Sequence, residues 1–165
     1  MQDLRALFLV PPRRTLAVAE SLTCGRLQAA IGAISGASGF FLGGITAYTI
    51  EQKVRHLGVD RAHAESCDAV SPRVAAEMAL GALRLFGSDV ALATTGYAEP
   101  CPDRGVPHPL AYWAIAYSGA ILREGRLERA GLGRIAMQEA VVAEVIAALA
   151  ETLRAASPPG PATSY

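Results

Sequence analysis

The sequence predicts an α/β fold: a three-layer α/β/α sandwich on a mixed sheet, in a single domain. Three observations lead there. Short apolar runs of strand length alternate with longer helical stretches, the pattern of parallel strands covered by helices on both faces. Two further apolar runs, residues 110–117 and 120–126, meet across Ser118-Gly119 and add an antiparallel hairpin. Finally, 165 residues with 52% hydrophobic content are enough for one domain with a real core. Aromatics make up only 6%, so alanine, valine and leucine must do the packing. The chain has no internal repeat.

The elements follow in order. Residues 2–10 read as a short helix stopped by Pro11-Pro12. The run 15–19 suits a buried strand, ending at the polar turn Glu20-Ser21-Leu22-Thr23-Cys24-Gly25. An apolar-periodic helix then runs to about Ile34. Strand, polar turn and helix in this sequence point backbone N–H groups at an anion. Residues 35–39 are a small-residue loop, and 40–50 a strand interrupted at Gly43-Gly44 by a bulge or close backbone approach. Residues 51–57 are helical, with Gly58 as the stop, and 59–70 form a loop.

Ser71-Pro72 is an N-cap followed by proline at the first helical position. That helix buries Val74, Met78, Leu83 and Leu85 or their neighbours, and closes at Gly87. A second buried strand, 89–95, ends at Gly96, and the proline-rich stretch 97–109 is a loop. After the hairpin a long helix, 134–155, closes a domain spanning residues 1–156, and the proline-rich tail 157–165 is disordered.

Charge narrows the function classes. Fifteen basic and fifteen acidic residues cancel, which argues against a nucleic-acid or anionic-membrane surface but leaves room for a local basic pocket. A mean hydropathy of +0.28 favours covering surface in a homo-oligomer. The segment 1–14 holds one short apolar run, 6–10, and Asp3, and reads as neither signal peptide nor membrane span. Cys24, Cys67 and Cys101 are odd in number and lack metal-site spacing, so reduced thiols in a cytoplasmic protein are expected. His56, His63 and His108 show no ligand spacing either, and neither metal nor cofactor is expected.

Lys53 is the only lysine; the other fourteen basic residues are arginine. Arginine cannot lose its proton inside a protein, whereas a buried lysine can have its pKa lowered until it serves as a base. Three clusters of small and polar residues fall at strand ends: 20–25, 35–53 and 94–104. The middle one holds Ser38, Tyr48 and Lys53. A serine hydroxyl needs a base to take its proton, and a desolvated lysine is such a base, with the tyrosine hydroxyl to hold it or relay a proton. Glu20 either orients the site or complements the dipole of the following helix, the second being favoured. Thr23 either contacts phosphate or caps that helix.

Several motifs taken together resemble a known family. Ala19-Glu20-Ser21-Leu22-Thr23-Cys24-Gly25 resembles the A-E-S-C-T-G-G signature of the CinA C-terminal (nicotinamide-nucleotide amidase) family. Gly36-Ala37-Ser38, Phe41, Gly43-Gly44, Tyr48 and Lys53 resemble its G-S-S-x-x-F-x-G-G-x-x-x-Y-x-x-x-x-K pattern. Ala69-Val70-Ser71, Val74-Ala75, Met78-Ala79 and Gly81 resemble its next helix start, and Thr95-Gly96-Tyr97-Ala98-Glu99-Pro100 stands where the family has T-G-I-A-G-P. The resemblance implies a metal-independent amidohydrolase converting nicotinamide mononucleotide to nicotinate mononucleotide and ammonia. It implies Ser38 as nucleophile, Lys53 as base and Tyr48 as its partner; Ser21, at the mouth of the helix that follows the first strand, is the rival nucleophile. Ser21, Thr23, Gly25, Gly43, Gly44, Thr95, Gly96 and Arg134 are then the substrate-binding set, with a small-molecule nucleotide as the only partner besides other copies of the chain. The loop 36–39 is expected to present oxyanion donors.

Departures from the pattern leave a second reading open, a binding or assembly module or an enzyme for a different small amide. Cys24 replaces a glycine, and Glu99 replaces the glycine of A-G-P, putting a carboxylate into a loop expected to meet an anion, with Arg104 as its expected partner. His108-Pro109-Leu110-Ala111-Tyr112 replaces K-P-x-G-T, and Gln138 stands where a second arginine is common. Full-length relatives carry an N-terminal pyrophosphatase-like domain; this chain begins too late to include one, so that activity is not expected.

Overall fold

In a computed structural model, residues 2–156 are described; the tail predicted at 157–165 lies outside them. The elements run α1 (Gln2–Leu9), β1 (Leu16–Glu20), α2 (Arg26–Gly32), β2 (Phe41–Thr46), α3 (Ile50–Leu57), α4 (Arg61–Ser66), α5 (Pro72–Phe86), β3 (Val90–Tyr97), β4 (Leu110–Tyr117), β5 (Ala120–Glu128) and α6 (Arg134–Ala155). The strands form one sheet in the order β2-β1-β3-β4-β5. β1 pairs in parallel with β2 and β3, and β3, β4 and β5 pair antiparallel, so the sheet is mixed.

Side chains alternate across a strand with period two, and here bulky and small residues alternate in step. One face presents Leu16, Val18, Leu92, Trp113 and Ile115 to Phe8 of α1, Leu27 and Ile31 of α2, and Met137, Val141, Val145 and Leu149 of α6. The other presents Ala19, Ala91, Ala93, Ala114 and Ala116 to Leu57 of α3, Ala64 of α4, and Val74, Met78 and Ala82 of α5. Helices therefore cover both faces. Among the second set, α5 meets α3 closely enough that a Cβ on Gly81 would stand 2.2 Å from the Leu57 carbonyl oxygen.

Several boundaries differ from those read in the sequence. The pairing of β1 with β2 slips between Leu16 and Ala17, leaving Leu42 as the extra residue just before Gly43. A Cβ on Gly44 would overlap Val18 at 2.3 Å, so the glycine pair serves the strand's packing. β2 ends at Thr46 rather than near Ile50, because Thr49 caps α3 by accepting from the Gln52 amide at 3.4 Å. The stretch read as a loop from 59 to 70 contains α4, capped by Asp60, which accepts from the His63 amide at 2.6 Å. Its sequence, RAHAES, carries no apolar stripe to announce a helix. In α5, Ala79 and Ala82 join Val74, Met78 and Leu83 in the core, while Leu85 is half exposed.

The chain leaves β1 toward α2 on one face and leaves β2 toward α3 on the other. Neighbouring parallel strands whose connections part in this way open a crevice at their carboxyl ends. The candidate site lies there.

Candidate functional site

The turn after β1 is built around Glu20. Its fully buried carboxylate accepts from three amides at the start of α2: Gly25 at 3.0 Å and Leu27 at 3.0 Å through Oε2, and Gln28 at 2.9 Å through Oε1. A seven-residue helix is marginal alone, and this one has no side-chain cap at Gly25. Glu20 supplies the cap from the end of the neighbouring strand. The anion these amides were expected to meet is thus the chain's own carboxylate. Thr23 is equally internal: its buried hydroxyl bonds Thr94 Oγ1 at 2.8 Å, tying the turn to β3. Cys24 adopts φ 50° beside Gly25 at 91°, a left-handed pair that explains why glycine suits this position.

Ser21 is held at the mouth of this turn, its amide bonded to the Thr94 carbonyl at 3.0 Å. Lys53 reaches it from the first turns of α3. Lys53 Nζ donates to Ser21 Oγ at 2.9 Å and to the Tyr48 carbonyl oxygen at 3.1 Å. Only 2% of Lys53 is exposed. Burial lowers its pKa from 10.5 to about 8, with Asp68 pulling the other way. A serine and a desolvated amine in direct contact form a nucleophile–base pair.

The cleft above this pair has a volume of about 360 Å³, within the ~300–1,000 Å³ usual for small-molecule sites. Ser21, Lys53, Tyr48, Asp68, Glu99 and Arg134 bring polar atoms to its wall, with Thr95-Gly96-Tyr97 beneath. Gly96 is required by β4: a Cβ there would stand 2.2 Å from the Leu110 carbonyl oxygen. Thr95 is buried and donates to the Ala69 carbonyl at 2.6 Å, pinning a segment in which Asp68 and Ala69 both have left-handed backbones, at φ 52° and 54°. Non-glycine residues in that region store about 1–3 kcal/mol each and cluster at functional sites. Tyr97 donates to Asp68 Oδ2 at 2.8 Å, and burial together with that bond pushes the Tyr97 hydroxyl up to about 12.

Arg134, the first residue of α6, gives both Nε (3.1 Å) and Nη2 to Glu99 Oε2. Glu99 first, and the Tyr48 hydroxyl after it, raise the Arg134 pKa further. Glu99 is therefore paired with Arg134 and not with Arg104, which lies 3.6 Å from Asp68. Gln138, one turn further along α6, donates to the Leu22 carbonyl at 2.6 Å and so braces the turn that carries Ser21.

Of the residues expected at the site, Ser21, Tyr48, Lys53, Thr95, Gly96 and Arg134 come together here. Thr23, Gly25, Gly43 and Gly44 do not line the cleft; they serve the turn and the β2 packing described above. Ser38 is the main correction. It is exposed on the 3-10 turn Ala37–Gly39, which leads into β2. Phe41 pairs with Leu16 at the start of β1, whereas Ser21 follows the end of β1. The two serines thus lie at opposite ends of the sheet, on the order of 15 Å apart at ~3.3 Å per residue. The loop expected to hold an oxyanion is remote as well, and two of its amides are engaged, Ala37 with the Ile34 carbonyl and Gly39 with that of Gly36. Tyr48 meets Lys53 through its backbone carbonyl, and its hydroxyl faces Arg134 instead.

Asp68 goes unnamed as a cleft residue in the sequence reading, and Tyr97 is named there only within the motif at 95–100, with no role at the site. The available signal was their position, directly before Ala69-Val70-Ser71 and directly after Thr95-Gly96. Among the described residues, no group of three or more His, Cys, Asp or Glu is placed to hold a metal ion.

A mixed five-stranded sheet between two helical layers, with a serine–lysine contact at the carboxyl ends of its parallel strands, defines the class of domain. Residues 4–153 match the family described as CinA C-terminal domain, and the chain belongs to that family. It is 45% identical over 106 residues to a CinA-like protein of Picosynechococcus sp., covering 64% of this chain and 25% of that one. Over 121 residues it is 42% identical to a CinA-like protein of Frankia casuarinae, covering 73% of this chain and 28% of the relative. The chain thus spans about a quarter of the length of these relatives. A crystal structure of a CinA superfamily protein from Klebsiella pneumoniae superposes with a TM-score of 0.84 at 32% identity, covering 93% of this chain and 94% of the other.

Proposed function

We propose that the cleft is an amidohydrolase centre acting on the carboxamide of a pyridine nucleotide-type substrate, with Ser21 as nucleophile and Lys53 as general base. The observation that carries this reading is the 2.9 Å contact between Ser21 Oγ and a buried Lys53 Nζ whose pKa is lowered to about 8. The family resemblance offers hydrolysis of nicotinamide mononucleotide to the nicotinate mononucleotide as the reaction.

Neutral Lys53 accepts the Ser21 proton as Oγ attacks the carboxamide carbon. The carbonyl π electrons move to oxygen, giving a tetrahedral oxyanion. The Leu22 amide, next to the nucleophile and bonded to no acceptor among the described residues, is the backbone donor proposed for that oxyanion. As the oxyanion collapses, the C–N bond breaks and the nitrogen takes the proton from Lys53, leaving as ammonia. Water then attacks the Ser21 ester with Lys53 again as base. The acyl–oxygen bond breaks, Ser21 regains its proton, and the carboxylic acid departs. Tyr48 positions Lys53 through its carbonyl, and Gln138 holds the Leu22 peptide.

Ammonia release from the purified protein, offered nicotinamide mononucleotide, nicotinamide riboside and nicotinamide, tests the reading. Release from one of them, lost in Ser21→Ala, is expected. No release from any of the three, or release that survives Ser21→Ala, would remove it.

A further inference from the structure

The charges around the cleft bear on which substrate it accepts. Its lining holds two cationic side chains, Lys53 and Arg134, and two anionic ones, Asp68 and Glu99. Lys53 is engaged with Ser21 and the Tyr48 carbonyl. Arg134 directs two of its N–H groups at Glu99. Just outside the lining, Arg104 is drawn to Asp68. The start of α2, the other natural place for an anion, is filled by Glu20. The start of α6 has no side-chain cap, but the residue that opens it is Arg134 itself. Arg104, Arg134 and the starts of α2 and α6 each hold one of the chain's own carboxylates or border one that does, while the start of α3 is capped by the Thr49 hydroxyl.

We infer that Glu99 takes the place of a ligand anion on Arg134, so that the cleft selects a carboxamide without phosphate, a neutral or cationic nucleoside-type amide, over the corresponding mononucleotide. The inference rests on the amidohydrolase reading only in taking this cleft as the carboxamide site. A phosphate reaching Arg134 must either displace Glu99 or lie beside it, and two like charges at contact distance repel even where solvent screens them. A pyridinium ring meets no such repulsion, because Asp68 and Glu99 balance the lining's two cationic side chains and leave no excess positive charge facing it. The pair is half exposed on each side, at 47% and 52%, so it is a bias on ligand choice and not a structural tie.

Calorimetric titration of the Ser21→Ala protein, in which turnover is removed, tests this with nicotinamide riboside and nicotinamide mononucleotide as probes. The riboside should bind about tenfold or more tightly than the mononucleotide, a difference of ~1.4 kcal/mol. Adding Glu99→Gln should strengthen mononucleotide binding by about tenfold, leave the riboside no tighter, and give a mononucleotide affinity that falls as salt is added. Mononucleotide binding as tight as riboside binding, or unmoved by Glu99→Gln, would overturn the inference while leaving the reaction class standing. Failure of both probes to bind either protein would overturn the inference and the pyridine-carboxamide reading together.

Discussion

Lys53 Nζ lies 2.9 Å from Ser21 Oγ although 32 residues separate the two in the chain. The contact exists because β1 and β2 run parallel, so that the turn after one and the helix after the other open at the same end of the sheet. Both partners are almost sealed from solvent, Ser21 at 7% exposed and Lys53 at 2%. Water therefore does little to stabilise the ammonium, and the amine is easier to deprotonate than a surface lysine. Chemistry at this contact should respond to pH and to side-chain identity in ways that separate it from packing.

Ser21→Ala should reduce amide hydrolysis by at least ~10³-fold, in keeping with the loss of a nucleophile that the base cannot replace. Ser38→Ala, on an exposed turn at the far end of β1, should leave kcat/KM unchanged. Steady-state ammonia release by the two variants compares them directly. Full activity in Ser21→Ala with loss in Ser38→Ala would return the nucleophile to the loop before β2.

Because Lys53 must be neutral to accept a proton, kcat/KM should rise with pH and level off above about 8, the pKa of the buried amine. Asp68 raises that pKa. Asp68→Asn should therefore move the rising limb to lower pH, whatever it does to the plateau. Lys53→Arg keeps the charge but cannot act as a base, and should lose the activity at every pH from 6 to about 10. A pH profile of wild type that is flat across 7–9 would disconnect Lys53 from the rate.

The same lowered pKa has a consequence for stability. The unfolded chain holds the Lys53 proton up to about 10.5 and the folded chain only to about 8. Burial of the charged amine thus destabilises the fold fully below pH 8, and the penalty is relieved as pH rises through 8 to 10.5. Lys53→Met should raise the unfolding free energy at pH 7 by up to roughly 3 kcal/mol, less what is lost with the bonds to Ser21 and Tyr48. The gain over wild type should shrink toward pH 10.5. Urea unfolding at pH 7 and pH 10 gives both values.

Glu20→Gln should cost about 2–4 kcal/mol, since the neutral amide offers one acceptor to three N–H groups and turns a donor toward them. Hydrogen exchange should show the loosening first in α2. Unchanged protection of the Gly25, Leu27 and Gln28 amides would mean that the carboxylate is not what holds them.

The order of elements and the layer arrangement were legible in the sequence because apolar runs, glycine stops and the Ser71-Pro72 cap are local signals. Lys53 was legible through its solitude among arginines. The choice between Ser21 and Ser38 was not, because spacing along the chain does not say which end of a parallel sheet a residue occupies. Ser21 follows a strand and Ser38 precedes one; that distinction, joined to the rule that ligands gather at carboxyl ends, was the signal to use. The partner of Glu99 was not legible either: Arg104 is nearer in the chain, whereas Arg134 comes from 35 residues away at the start of another helix. Helix α4 stayed hidden because a six-residue helix with one buried alanine has no periodicity to detect.

The alternation of large and small residues across the sheet gives its two faces opposite vulnerabilities. Where Leu92, Trp113 and Ile115 meet α1, α2 and α6, the danger lies in subtraction: a shortened side chain leaves a hole that the neighbours fill only in part. Where Ala91, Ala93, Ala114 and Ala116 meet α5, only a methyl remains to subtract, and the danger lies in addition, because added bulk must push against a helix. That helix carries Gly81 against the Leu57 backbone, at the end of the same α3 that bears Lys53. Bulk introduced into the alanine layer would therefore be felt as a misplaced amine above Ser21, a route by which a residue far from the cleft can silence it without unfolding the chain.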